Sequence, residues 1–231
     1  TYVDTSPNKP ELATNMIPVY YDETNEVWKK ADETNSNNSW YDYENKMWAN
    51  AVTVTETNRA TYLSASVGAP ISMDDINTMW VWIPRFTAYG DTVNYNGGTQ
   101  SDPGAFNITF VDNTTTAHDA FTFGTQELNG FWVGKFETSH NTLSNSTTDN
   151  NLGCTSDTCS NANGIIIKPN VESLRYNNVS NFYYASLSMK QSGNSFGFDT
   201  GIDTGLDTHM MKNNEWGAVA YLTQSIYGRC I

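Results

Sequence analysis

Phe131-Trp-Val-Gly-Lys-Phe-Glu-Thr-Ser139 is the stretch that most constrains the fold of this chain. It predicts a strand that carries aromatic residues on both faces and ends on a carboxylate. Thr208-His-Met-Met-Lys-Asn-Asn-Glu-Trp-Gly-Ala-Val-Ala-Tyr-Leu222 predicts a polar approach to a short apolar helix that begins near Glu215. We expect four aromatic side chains of these two segments to lie in the core: Trp132, Phe136, Trp216 and Tyr221.

Other segments predict mainly strands and loops. Met79-Trp-Val-Trp-Ile-Pro-Arg85 predicts a buried strand, with Pro84 suited to its end. Ala51-Val-Thr-Val-Thr55 alternates as a strand does, and residues 105–111 predict one further strand. Val179–Lys190 is a helix candidate, because Phe182, Ala185 and Met189 would share one face. The predicted fold class is α+β and β-rich, with few short helices and long loops.

Composition limits the partners that the chain can have. Its 231 residues carry a formal net charge of −13, which argues against nucleic acid and anionic membrane surfaces. Aromatic residues make up 13% of the chain, enough for a packed core. No run of 18 apolar residues occurs, so we expect no membrane segment in this chain. Asn, Thr and Ser dominate the polar residues, which favours an extracellular, cell-surface or virion location.

An internal repeat with a period of twenty residues lies near the N-terminus. Tyr21–Trp28 (YDETNEVW) recurs as Tyr41–Trp48 (YDYENKMW). Each copy predicts a β-hairpin that turns at Asn25 or Asn45, because Asn tolerates positive φ. We therefore expect residues 1–60 to form an aromatic β-hairpin module.

Two interpretations of the tryptophans in this module stay open. Trp28, Trp40 and Trp48 are either its core or ligand-facing rings that bind sugars or choline. The core interpretation is favoured, since so small a module has little else to bury.

In an oxidising compartment, two of the three cysteines predict a loop disulfide rather than a metal-binding pair. Cys154 and Cys159 enclose four residues in a Gly/Asn/Ser-rich stretch, and a small loop disulfide is the favoured interpretation. Residues 140–164 around them predict a surface excursion. Cys230 is left over, so we expect it to pair downstream of Ile231 or with another chain.

A short aspartate repeat is the one candidate metal site. Asp199, Asp203 and Asp207 are evenly spaced on Gly-containing turns beside His209, and such oxygen ligands suit Ca²⁺. The spacing fails the EF-hand pattern, so a solvated loop that caps the following helix is the favoured alternative. No nucleophile elbow, phosphate-binding loop or zinc-protease motif occurs, and we expect no enzyme activity and no other cofactor.

Four segments together resemble a known family. Met79–Pro84, Phe131–Glu137, Asn178–Ala185 and Asn214–Tyr221 are similar, in this order, to segments of the formylglycine-generating sulfatase-type branch of the C-type lectin fold. A second set of segments resembles Firmicute surface proteins, some with a pilin-like or membrane-anchoring N-terminus, and phage-encoded proteins similar to receptor-binding proteins: Pro10–Leu12, Asn45–Val52, Trp82–Arg85 and Met210–Gly217. The resemblance implies a C-type lectin-like domain over residues 61–231 that is incomplete at its C-terminal end. The copper-binding cysteine pair of the enzyme branch would lie in the part that is missing.

These observations give two leading functional hypotheses. The first is an extracellular surface or virion binding and display protein, of adhesin or receptor-binding type, whose partner is a host-surface glycan or protein. The second is a structural subunit of a pilus-like filament or a virion, whose fold is completed by a neighbouring chain. A formylglycine-generating type oxidase is a distant third, because it needs the copper site.

Overall fold

The computed structural model is rich in antiparallel strands and has few helices. It describes residues 8–87, 106–141, 164–174, 178–200 and 206–228. The described strands, in chain order, are β1 (Ile17–Asp22), β2 (Val27–Lys30), β3 (Asn50–Val54), β4 (Pro70–Ile71), β5 (Ile76–Pro84), β6 (Phe86–Thr87), β7 (Thr109–Phe110), β8 (Thr122–Phe123), β9 (Gln126–Glu127), β10 (Gly130–Gly134), β11 (Ser139–His140) and β12 (Ile165–Ile166). The order β10-β5-β3-β1-β2-β4 forms a six-stranded sheet, in which every described pairing is antiparallel. The predicted α+β, β-rich class is confirmed at this level.

Three helices flank the sheet in the described residues: α1 (Glu56–Ser64), α2 (Val179–Ser188) and α3 (Asn213–Thr223). Helix α2 confirms the prediction for residues 179–190, and it buries Ala185. Helix α3 begins two residues before the predicted Glu215 and buries Ala218 and Leu222. Helix α1 was not predicted and has no buried residue.

Helix α1 is held at its C-terminal end by a lysine of the sheet. Lys30 Nζ donates hydrogen bonds to the carbonyl oxygens of Tyr62 (3.2 Å), Leu63 (2.6 Å) and Ala65 (2.9 Å). The ammonium group satisfies carbonyls that a helix end leaves without intrahelical partners. A contact from outside the helix therefore compensates for its weak apolar face.

The two faces of the sheet are covered by different helices. Ala218 and Leu222 of α3 pack in one cluster with Ile83 and Phe121, on the face to which Phe131 points. On the opposite face, Ala185 of α2 and Met189, directly after the helix, pack with Ala51, Ile165, Ile167 and Phe196, and Trp132 packs against that cluster. The alternation along β10 places Phe131 and Trp132 on opposite faces, as the sequence predicts.

The two copies of the N-terminal repeat share the same hydrogen bonds within their turns. Asp22 Oδ2 accepts a hydrogen bond from Asn25 Nδ2 at 2.7 Å, and Asp42 Oδ2 accepts one from Asn45 Nδ2 at the same distance. The backbone N–H of each asparagine also donates to the Oδ1 atom of its aspartate. These hydrogen bonds hold the pKa of each aspartate below its ordinary value, with the Lys29 ammonium as the largest cause at Asp22.

The turns differ from the prediction in two respects. Positive φ falls on the residue after each asparagine, Glu26 (53°) and Lys46 (59°), and not on the asparagine itself. The first copy is a β-hairpin of β1 and β2, whereas the second forms a single antiparallel bridge between Asp42 and Met47 around a 3₁₀ turn. In the second copy the Tyr43 side chain is buried, at 7% exposed.

The predicted boundary at residue 60 falls inside α1. Strand β3, on one side of it, pairs along five residues with β5, on the other side. Residues from both predicted regions therefore share one sheet. The predicted strand over residues 131–139 divides into β10 and β11, and within the predicted strand 105–111 only Thr109–Phe110 is a described strand.

Candidate functional site

His209 lies between two carboxylates immediately before helix α3. Its Nε2 atom lies 2.8 Å from Glu215 Oε1, and its Nδ1 atom lies 2.5 Å from Asp207 Oδ2. The contact with Glu215 is a hydrogen bond, whereas the contact with Asp207 is an ion pair without hydrogen-bond alignment. The hydrogen bond that His209 donates to Glu215 outweighs burial and raises the pKa of His209.

Glu215 is fixed by the first turn of α3. Its Oε2 atom accepts a hydrogen bond from the Lys212 backbone N–H at 2.7 Å, as the glutamate of a capping box does. The residue is 7% exposed. Burial alone would raise the pKa of Glu215, but the hydrogen bonds from His209 and from the Lys212 N–H hold it below its ordinary value. Glu215 is therefore a charged, paired group inside the fold.

The segment before α3 is also tied to α2. Lys190 Nζ lies 3.7 Å from Asp207 Oδ1 and donates to the Leu206 carbonyl at 2.9 Å. The Thr208 hydroxyl donates to the Leu187 carbonyl at 3.4 Å. We call Asp207, His209 and Glu215 the His209 cluster. This cluster thus joins α2 to α3, the helices that cover opposite faces of the sheet.

Four large apolar side chains are exposed on the segment from Met210 to Trp216 and on strand β8, which contacts it. We call them the Trp216 patch: Trp216 (63% exposed), Phe123 (40%), Met210 (39%) and Met211 (38%). Two contacts link Phe123 to the cluster, because Lys212 Nζ lies 3.9 Å from the centre of its ring and the His209 ring lies 5.9 Å away. Apolar surface and charged groups therefore adjoin at the start of α3.

The exposure of Trp216 contradicts the prediction that it lies in the core. Helix α3 buries Glu215, Ala218 and Leu222, which share one helical face. At 100° per residue, position 216 points well away from that face. Helical spacing predicts this exposure of Trp216 once Glu215 is assigned to the buried face.

Arg85 holds the β8–β9 turn that carries Phe123. The arginine is 1% exposed. Its guanidinium donates to the carbonyl oxygens of Leu128 (3.0 Å) and Thr115 (2.7 Å) and to Glu127 Oε2 (2.6 Å). No sequence pattern indicates a role for Arg85, because one arginine after a strand carries no spacing signal. Its structural role is to anchor one side of the candidate site.

The three tryptophans of the N-terminal region have different environments. Trp40 is 1% exposed, and its indole N–H donates to the Asn50 carbonyl at 2.9 Å, so its ring belongs to the core. Trp48 is partly buried, with its ring 5.2 Å from that of Tyr43. Trp28 is also partly buried and contacts the Tyr21 ring.

Lys135 lies over Trp28. Its Nζ atom is 5.6 Å from the centre of the Trp28 ring, and burial lowers the pKa of the lysine. The Tyr21 ring, 45% exposed, packs on the same tryptophan. Trp28 is therefore the member of the predicted set that lies beside both an exposed ring and a charged group.

The predicted calcium site is not assembled by the described residues. Asp199 accepts a hydrogen bond from the Thr14 hydroxyl, whereas Asp207 contacts His209 and Lys190. No three His, Cys, Asp or Glu side chains of the described part of the chain converge to hold a metal ion. Asp203 lies outside the described residues, as do Cys154, Cys159 and Cys230, so the metal and disulfide predictions stay predictions.

Comparison with known proteins identifies no family for this chain. The chain matches no protein-family model, no curated protein and no solved structure. Among the helices of the described residues, none combines the length and the apolar character that crossing a membrane requires. The resemblance to the C-type lectin fold therefore stays a prediction.

The candidate site combines paired charged groups with exposed apolar side chains. Both ring nitrogens of His209 are engaged by carboxylates, and Glu215 is also engaged by a backbone N–H. This pairing holds the polar segment before α3 to the first turn of the helix. The side chains that face solvent are apolar and aromatic, as they are at binding surfaces.

Proposed function

We propose that this chain is an extracellular surface or virion binding and display protein, of adhesin or receptor-binding type, with a non-catalytic C-type lectin-like domain. The observation that carries the proposal is the exposed Trp216 patch beside the His209 cluster. The Asn-, Thr- and Ser-rich composition supports an extracellular location. The proposed partner is a host-surface glycan or protein.

The support for binding is energetic. A tryptophan that is 63% exposed leaves a large aromatic area in water, and tryptophan is enriched among residues that dominate binding energies. The helix beneath it is anchored by buried Ala218 and Leu222 and by the His209–Glu215 pair. A ligand therefore meets a surface that needs little ordering on binding.

Binding by fluorescently labelled protein to a glycan array and to a panel of intact cells tests the proposal. We expect wild type to bind at least one of these surfaces and Trp216→Ala to lose at least about tenfold in affinity, the loss expected of a binding anchor. Val67→Ala, at a position 59% exposed between α1 and β4, is the control and should bind as wild type does. Equal binding by Trp216→Ala and wild type would contradict the proposal.

A second candidate is a structural subunit of an extracellular filament or virion whose neighbouring chain completes the fold. The observation that favours it is strand β10, which is the last strand of the six-stranded sheet and pairs with β5 alone among the described strands. Electron microscopy of the concentrated protein tests it. Regular polymers would support a subunit role, and dispersed particles at all concentrations would contradict it.

A further inference from the structure

The outer edge of β10 carries backbone hydrogen-bond donors and acceptors, and the register of β10 with β5 shows which residues supply them. The Arg85 N–H donates to the Asn129 carbonyl, and the Lys135 N–H donates to the Met79 carbonyl. In an antiparallel ladder the hydrogen-bonded pairs recur at every second residue. Phe131 and Val133 therefore bond to β5 between these two points.

The alternate residues of β10 face the other way. The backbone N–H and C=O groups of Gly130, Trp132 and Gly134 point away from β5, to the outer edge of the sheet. Within the described residues, none of these groups has a hydrogen-bond partner. A row of alternating donors and acceptors is satisfied best by another extended backbone.

The two edges of this sheet are not alike. Strand β4, at the far edge, has two residues and begins with Pro70, and both features discourage pairing. Strand β10 has five residues, Gly-Phe-Trp-Val-Gly, with no charge and no proline. It carries none of the residue types by which sheet edges are protected from pairing.

The side chains of β10 define what a partner strand must carry. Phe131 and Val133 pack against the cluster under α3, and Trp132 packs against the clusters on the opposite face. All five residues of the strand are partly exposed. An added strand would extend both clusters, so it must be apolar on both faces.

We infer that β10 is a dimerisation strand, which pairs antiparallel with β10 of a second copy of this chain about a two-fold axis at Trp132. A second copy of β10 is itself apolar on both faces, at Phe131, Trp132 and Val133, as a partner strand must be. This register sets Gly130 opposite Gly134, so no side chain of the facing strand next to Trp132 crowds the two tryptophans, and the Trp132 indole N–H keeps its bond to the Glu11 carbonyl. About six backbone hydrogen bonds form, two at each of three residue pairs.

Electrostatics sets the conditions for this pairing. Lys135 falls opposite Asn129 of the second copy, so no like charges face each other next to the strand. Each copy nevertheless carries a formal net charge of −13, which opposes association at long range. Salt screens that repulsion, so the dimer is tighter at high than at low ionic strength.

The test combines mass with residue-resolved amide exchange. Light scattering coupled to size exclusion, on reduced and alkylated protein, removes any contribution of Cys230. We expect a mass of two copies at high concentration and high salt, and of one copy on dilution. Over the same series, amide exchange at Trp132 and Gly134 slows as the dimer forms. The Phe131 and Val133 amides, which bond to β5, are the internal control and stay slow throughout.

Each other outcome overturns the inference. A single copy at every concentration excludes the dimer, and a dimer with fast exchange at Trp132 uses another surface. A monomer with slow exchange at Trp132 has its edge covered within its own chain. Species larger than two copies require head-to-tail contacts, since a two-fold pair closes on itself. None of these results depends on ligand binding by the Trp216 patch, so the two proposals fail separately.

Discussion

His209 Nε2 and Glu215 Oε1, 2.8 Å apart, form the contact that joins the polar segment before α3 to the helix itself. Because Glu215 is buried and also accepts the Lys212 backbone N–H, the pair fixes where the helix begins and which way Trp216 points. The candidate binding surface thus depends on a charge pair inside the fold.

This pair gives the stability of the protein a defined pH dependence. The raised pKa of His209 means that its contribution is complete below the ordinary value of 6.5 and is lost as pH rises through the raised value. The lowered pKa of Glu215 means that its contribution is complete above 4.5 and is lost as pH falls through the lowered value. We expect His209→Ala to lower the Tm most between these limits, as thermal melts across pH would show. A Tm loss that grows above neutral pH would contradict this.

His118 gives the opposite pH dependence. It is partly buried, and burial lowers its pKa, so its contribution is complete above 6.5 and is lost as pH falls. Its Nδ1 atom accepts the Ala120 N–H at 3.2 Å, and Asn can replace that acceptor. We expect the stability of wild type relative to His118→Asn to fall on acidification, measured by urea unfolding at several pH values. If the difference in stability between the two proteins does not change with pH, the pKa of His118 is the same in the folded and unfolded states.

Arg85 is expected to be the most important charged residue for stability in the described part of the chain. Arg85→Met removes the buried guanidinium and leaves the carbonyls of Thr115 and Leu128 without these donors, at a cost of about 3 kcal/mol. Urea denaturation measures this loss. Glu127→Gln is the control, since it removes the charge of the partly exposed carboxylate and keeps the bonds from Arg85 to the carbonyls. Equal losses in the two variants would assign the effect to the ion pair instead.

The repeated turns predict two stabilising substitutions. Glu26 and Lys46 adopt left-handed backbone conformations, with φ of 53° and 59°, which cost non-glycine residues about 1 kcal/mol. Glu26→Gly and Lys46→Gly should therefore each raise the free energy of unfolding by a fraction of that amount. Calorimetry checks this, with the alanine variants as controls. A gain in the alanine variants as large as in the glycine variants would contradict the backbone explanation.

The sequence predicts elements well where one local pattern determines them. Helix α2 was predicted because its apolar residues recur at helical spacing, and Ala185 is indeed buried. Helix α1 was missed because it buries no residue and depends on Lys30, which lies more than 25 positions before its C-terminal end. Only the folded chain brings those groups together.

The candidate site was less predictable than the fold class. Trp216 was assigned to the core by residue type, whereas its position on α3 places it in solvent. Phe123 joins the patch through contacts with His209 and Lys212, which lie more than 80 residues further along the chain. Local spacing carries no information about such contacts, whereas the turn chemistry of Asp22 and Asn25 is entirely local and was visible as a repeat.

Trp40 and Trp216 provide a direct contrast between core and surface. Trp40 is 1% exposed and its indole N–H is hydrogen-bonded, so Trp40→Ala should cost about 3–5 kcal/mol of stability. Trp216 is 63% exposed, so Trp216→Ala should change stability by no more than about 0.5 kcal/mol. Chemical denaturation of both variants measures the difference. If Trp216→Ala keeps its stability but loses binding, the lost binding belongs to the ring itself; if it unfolds as easily as Trp40→Ala, the ring supports the fold and the binding surface must be sought elsewhere.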